Sequence, residues 1–227
     1  MRATGNLDEL LARRRVLESP VTSTAAFVAA LTELRIWQAA RLARTYRDFR
    51  DDPRYAPALE FFLSDLYGPQ EFTERDRDLR RAWIYLKKAL PAALVDVLGQ
   101  AIELEVLTLE LDHAMVRALG AAAVSDATYA AAYRGVGGAA SRTRQIDLIV
   151  GIGADLNRIV GRAWLGPLLQ AAHVPAHAAG FGILQDFLER GYAAFRQMHG
   201  AAGLLHAISE RETQFMRTMF AGGPDHE

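Results

Sequence analysis

Residues 91–119 read PAALVDVLGQAIELEVLTLELDHAMVRAL, and this stretch decides the class of fold. Its apolar residues recur at steps of three and four, which is the spacing of one face of an α-helix. Pro91 suits the first turn of a helix, and Gly120 suits the position just after a helix ends. The stretch therefore predicts one long helix over about 91–119.

The rest of the chain is punctuated in the same way by proline, glycine and capping residues. Further helices are predicted at about 7–17, 23–50, 57–67, 74–90, 125–134, from Ser141 with a break near Gly166, 181–199 and 202–220. No segment alternates apolar and polar residues with the period of a strand. We therefore predict an all-α fold, a compact single-domain array of about eight or nine helices over 1–227. Residues 1–20 are expected to form a peripheral N-terminal helix, and 221–227 a disordered tail.

Composition excludes several classes of function. The 227 residues include 26 basic and 27 acidic side chains, for a net charge of −1, so a nucleic-acid partner has no basic face to bind. The absence of cysteine excludes disulfides and thiolate metal sites. No apolar run is long enough to span a membrane, and the N-terminus lacks the apolar segment of a secretory signal, so a cytoplasmic location is expected. No nucleotide, calcium or zinc-protease motif is present, and no cofactor is predicted.

Several charged residues fall on the apolar faces of the predicted helices. Glu105 and Asp112 lie in the middle of the apolar side of helix 91–119. Because an isolated buried charge is costly, such residues should be paired or line a wet cavity. Our hypothesis is that these charged residues form one interior polar cluster. In one alternative the helices extend beyond the core and the charges are solvated, and in another the charges form a purely structural ion-pair network. The members of the interior polar cluster would be Arg41, Arg44, Asp48, Glu105, Asp112, Arg142 and Glu212.

Metal-ligand spacings are present but incomplete. Glu110 and His113 have the spacing used in di-iron helical bundles, which also need a second such pair and two more glutamates. No second pair exists, and Glu110 falls on the solvent side. His206 and Glu210 are one helical turn apart but lie off the apolar face. We therefore predict no metal site and keep these four residues as an alternative.

Two other charged or polar groups are interpreted as surface features. His173 and His177 flank Pro175 in a stretch, 173–180, that we predict to be a loop, because proline disfavours a helix interior. The triplet at 13–15 is all arginine and adjoins acidic residues, which favours a solvated helix face. Neither feature is expected to form a site.

Residues 61–67, Phe-Phe-Leu-Ser-Asp-Leu-Tyr, carry a resemblance. They are similar to the motif of a family of uncharacterised bacterial proteins named for the sequence FFLEELY. Ser64 and Asp65 depart from it, since the family name has two glutamates there. The later segment 186–198 also resembles this family, so the likeness spans most of the chain. The resemblance implies no chemistry.

The sequence leaves three functions open and does not decide whether the protein is an enzyme. The first is a helical interaction or regulatory protein with a protein partner, self-association included. The second is a small-molecule-binding protein or enzyme, in which arginines of the interior cluster hold an anionic ligand and a desolvated carboxylate acts as acid or base. The third is a di-iron or other metal-dependent oxidase.

Overall fold

A computed structural model of the chain describes residues 7–17, 24–62 and 92–222. Within these ranges the chain forms ten helices and no strand, so the all-α prediction is confirmed there. The helices are α1 (Leu7–Leu17), α2 (Ala25–Thr45), α3 (Arg47–Arg50), α4 (Ala56–Phe61), α5 (Ala92–Leu119), α6 (Asp126–Val136), α7 (Ala139–Val160), α8 (Leu165–Ala178), α9 (Gly182–Gln197) and α10 (Ala202–Ala221). None of these helices has the length and apolar character needed to cross a membrane.

Most predicted helix bounds agree with the structure to within a few residues. The prediction over 23–50 merges two helices, because the chain breaks at the buried Tyr46 between α2 and α3. The predicted helix at 74–90, the motif from Leu63 onward and the predicted tail from residue 223 lie outside the described residues. The helix expected over 57–67 begins one residue earlier than predicted and is described as far as Phe61.

The chain divides into two compact units, and each change of unit falls inside a helix. Unit 1 takes in Met1–Ala40, Leu98–Ile152 and Leu205–Glu227, and unit 2 takes in Arg41–Val97 and Gly153–Leu204. A single domain over 1–227 stays a prediction.

Unit 1 has an aromatic core. Trp37 stacks on Tyr129 with ring centroids 4.0 Å apart, and Tyr133 packs edge-on against Phe220. Leu34 and Met115 are wholly buried in the same cluster. Since aromatic side chains bury large areas, these contacts fix how α2, α5, α6 and α10 pack within the unit.

Unit 2 is arranged around α9, which packs against α8 and α4. The ring of Phe61 lies against Gly191, where a Cβ would come within 2.9 Å of the ring, so only glycine allows this approach without a shift. Arg54 donates to the carbonyl oxygens of Met198 and His199, which holds the turn before α4 to the end of α9. The ring centroid of Phe62 lies 6.1 Å from that of Phe195, so both phenylalanines of the FFLEELY-like motif are packing residues.

The predicted loop over 173–180 is wrong, because α8 continues through Pro175 to Ala178. Proline removes one backbone hydrogen bond, and here the loss falls near the last turn of the helix. Gly180, at φ 77°, ends α8: its N–H donates to His177 O, and Phe181 N–H donates to Ala176 O. These are the two bonds of a Schellman motif, which stabilises the helix end.

Candidate functional site

Asp112 is the centre of a buried polar group in unit 1. The residue is 3% exposed, and its carboxylate accepts hydrogen bonds from Arg35 Nε at 3.3 Å and Gln38 Nε2 at 3.1 Å. Arg142 also acts on it electrostatically. We call Asp112, Arg35, Gln38 and Arg142 the Asp112 cluster. It joins residues of α2, α5 and α7 at the edge of the aromatic core.

Arg142 is the member of the Asp112 cluster in which two hydrogen-bond donor atoms lack partners among the described residues. It is 6% exposed, and its guanidinium carbon lies 4.1 Å from the centroid of the Tyr133 ring. Its Nε and Nη2 atoms are fully buried, and within the described residues neither has a hydrogen-bond partner. The tyrosine face stabilises the positive charge but accepts no strong hydrogen bond from these two donors.

Burial shifts the pKa of two neighbouring groups in opposite directions. Burial raises the pKa of the Asp112 carboxyl, although Arg35, Gln38 and Arg142 oppose the rise. Burial also lowers the pKa of His113, and the charges of Arg117 and Arg35 lower it further. Both shifts favour the uncharged form of the side chain. The cluster therefore contains a carboxyl group that takes up a proton more readily than a solvated aspartate.

The other predicted cluster members are divided between the two units. In unit 1, Glu105 is paired with Arg14 at 2.7 Å, and Glu212 is partly buried. Arg14 is 3% exposed, so the interpretation of the arginine triplet as a solvated face is wrong for this residue. In unit 2, Arg41 is partly buried, whereas Arg44 and Asp48 are exposed. Convergence of all seven residues stays a prediction.

The four alternative metal ligands do not form one group among the described residues. Glu110 is bound by Arg13, with Nη2 and Oε1 2.6 Å apart. The buried His113 packs edge-on against Phe27, with ring centroids 4.9 Å apart. The side chains of His206 and Glu210 are 83% and 74% exposed and lie 4.0 Å apart.

A second polar group lies between α8 and α9 in unit 2, and we call it the histidine cluster. The rings of His173 and His177 lie 4.5 Å apart on one face of α8. His173 Nδ1 is 2.9 Å from Glu189 Oε1, and His177 Nε2 is 2.9 Å from Asp186 Oδ1. The buried Gln185 donates to Glu189, and this hydrogen bond lowers the pKa of the Glu189 carboxyl. The continuous helix is what brings the two histidines together.

The assignment of residues to helix faces did not predict the polar contacts of four residues, namely Arg35, Gln38, Arg14 and Gln185. On α2 the apolar residues Leu34 and Trp37 recur at helical spacing, and Arg35 and Gln38 each directly follow one of them. A helix that packs against neighbours on two sides buries a face wider than one apolar stripe, so residues next to that stripe can also be buried. No comparable signal marks Gln185, whose burial depends on the packing of α9 against α8.

Comparison with known proteins gives a family and no activity. No curated protein and no solved structure matches the chain. One family model, described as a domain of unknown function (DUF8198), matches residues 19–226. That range takes in the Asp112 cluster and the histidine cluster, so both sites lie in the part of the chain that defines the family. The chain belongs to the family of domain of unknown function DUF8198.

Proposed function

We propose that the protein binds a small carboxylate ligand through Arg142. The observation that carries this proposal is that Nε and Nη2 of Arg142 are buried and lack hydrogen-bond partners within the described residues. Buried polar groups nearly always have partners, and a guanidinium left without them is destabilising. These two nitrogens lie along the same edge of the planar guanidinium group. They form the fork that a carboxylate accepts in a bidentate manner.

The charge of the Asp112 cluster supports an anion. Two guanidinium groups, those of Arg35 and Arg142, act on one carboxylate, that of Asp112. An ionised carboxylate therefore leaves the three residues one positive charge in excess. A monoanionic ligand on Arg142 would balance that charge in a site where water contributes little screening.

The test is a titration of the untagged full chain with acetate, butyrate and benzoate at constant ionic strength. We expect at least one of these to raise the melting temperature in a saturable manner, and Arg142→Met to weaken that binding roughly ten-fold or more. Nuclear magnetic resonance of the arginine Nε–H groups should show the Arg142 signal moving on titration. Arg144→Met is the matched control, because Arg144 is 52% exposed on the same helix and pairs with Glu103.

Two results would contradict the proposal. One is that no carboxylate shifts the melting temperature of the wild-type protein. The other is an equal shift in Arg142→Met and wild type. The melting temperature of Arg142→Met in the absence of ligand, compared with that of the wild type, separates a loss of binding from a loss of folding stability.

A second candidate function is self-association through α8, and the composition of that helix favours it. The sequence of α8 contains no Asp, Glu, Lys or Arg residue. Trp164, the residue that precedes α8, is nevertheless 43% exposed, and Leu168 and Val174 within α8 are 43% and 73% exposed. Exposed apolar residues grouped on one helix are typical of protein interaction surfaces.

Light scattering coupled to size exclusion is expected to give a mass above 25.0 kDa that falls toward that of one chain in Leu168→Lys. Ile36→Lys, at a residue that is 54% exposed on α2, should leave the mass unchanged. A single-chain mass at every concentration would exclude this function.

A further inference from the structure

We propose that His173, His177 and Asp186 bind a first-row transition-metal dication on the surface of unit 2. Each of the three can supply one ligand atom, and these atoms lie within 4.8 Å of one another. Two imidazoles and a carboxylate form a ligand set that suits zinc and its neighbours in the first row. This site shares no residue with the Asp112 cluster, so a test of metal binding is independent of the test of carboxylate binding.

The backbone sets up the histidine pair. His173 and His177 are four residues apart on α8, which places their rings on the same face one turn apart. His177 Nε2 and Asp186 Oδ1 are already 2.9 Å apart. Two ligands bound to one zinc ion with bonds of about 2.1 Å are separated by roughly 3.4 Å in tetrahedral geometry. A metal ion would therefore replace the shared proton with only a small movement of these side chains.

Neighbouring residues hold the ligands in place. Because a carboxylate only accepts hydrogen bonds, Glu189 fixes the proton of His173 on Nδ1 and leaves Nε2 as the nitrogen that can bind metal. Gln185 donates to both Glu189 Oε1 and Leu169 O, each at 2.8 Å, so the carboxylate is itself oriented by a buried residue. Glu189 and Gln185 are positioning residues in this arrangement.

The start of α9 is shaped to accept His177. A Cβ on Gly182 would come within 2.7 Å of His177 Nδ1, so a side chain there would push the imidazole away. Glycine at this position allows the ring to lie against α9 and meet Asp186. The cluster is also open to ions from solution, since the side chains of His173, His177 and Asp186 are 46%, 42% and 43% exposed.

Isothermal titration of the untagged full chain with zinc chloride tests the proposal. We expect one zinc ion per chain, and binding that weakens roughly ten-fold or more in His177→Ala and in Asp186→Asn. Gly182→Ala removes no ligand atom but should also weaken binding, because it displaces His177. Glu189→Gln should weaken it by roughly ten-fold through the loss of a charged partner for His173.

His206→Ala is the matched control, since His206 also has a carboxylate one turn away on an exposed helix face. It should bind zinc as tightly as the wild type. Circular dichroism of each variant should match that of the wild type, so that lost binding is not unfolding. The proposal is overturned if the wild type binds zinc no more tightly than the double variant His173→Ala/His177→Ala, or if His206→Ala loses as much affinity as His177→Ala.

Discussion

Replacing Asp112 by alanine is expected to lower the free energy of unfolding by about 3 kcal/mol. The substitution removes the acceptor of the hydrogen bonds from Arg35 and Gln38, and it removes the negative charge on which the buried Arg142 acts. Buried donors that lose their acceptor cannot recover it from water, which makes the loss larger than the worth of the hydrogen bonds themselves. Urea unfolding of the variant and the wild type at neutral pH measures the difference.

Asp112→Asn is the control, because the amide keeps the volume of the carboxyl and one oxygen acceptor. It should stay within about 1 kcal/mol of the wild type, since it also removes a charge that burial disfavours. A loss in Asp112→Asn as large as that in Asp112→Ala would mean that the ionised form is essential. A loss below about 1 kcal/mol in Asp112→Ala would mean that the hydrogen bonds of the cluster do not stabilise the fold.

The pH dependence of the same pair of proteins checks the state of the carboxyl. Because burial raises the folded-state pKa of Asp112, the folded chain keeps a proton that the unfolded chain loses as the pH rises above about 4. Wild-type stability should therefore fall with rising pH through this window, relative to Asp112→Asn, and level off above the folded-state pKa. His113 has a lowered pKa and acts in the opposite direction, losing stability as the pH falls below about 6.5. The contribution of His113 does not cancel fully between the two proteins, since the Asp112 carboxylate itself raises the pKa of His113.

Periodicity predicted the helices well because a step of three or four depends only on local geometry. It also identified Asp112 and Arg142 as charges on buried faces, and both are nearly inaccessible in unit 1. It did not give their partners, since Arg35 approaches Asp112 from a helix 77 positions earlier in the chain. Which residues meet across helices depends on packing angles and rotamers that one helix does not encode.

The histidine cluster shows a second limit of sequence reasoning. Pro175 argued against a helix over 173–180, and that local rule is sound on average. The rule failed here because one lost hydrogen bond is offset by the closure of the helix end at Gly180 and by packing of α8 against α9. Once the helix is wrongly ended, the spacing of His173 and His177 loses its meaning. A single boundary error therefore hid the whole cluster.

Leu34→Ala should lower the free energy of unfolding by about 3–4 kcal/mol, the second large effect that we expect. Leu34 is wholly buried among Met115, Tyr129 and other residues of the aromatic core, so the truncation leaves a cavity as well as losing apolar contact. Thermal or urea unfolding measures the change. Ile36→Ala is the matched control, because Ile36 is 54% exposed on the same helix and should change the stability by less than about 0.5 kcal/mol.

The same substitution connects the core to the Asp112 cluster. Leu34 directly precedes Arg35 in α2 and holds this part of the helix in the core. Removing its side chain should therefore also make the positions of Arg35 and Gln38, the two donors to Asp112, less fixed. We therefore expect Asp112→Ala to lower the free energy of unfolding by less in the Leu34→Ala background than in the wild type. The measurement is made under conditions in which Leu34→Ala is folded. Residues that share packing normally couple by roughly 0.5 kcal/mol or more. If the stability losses of Leu34→Ala and Asp112→Ala simply add in the double variant, the core and the polar cluster are independent.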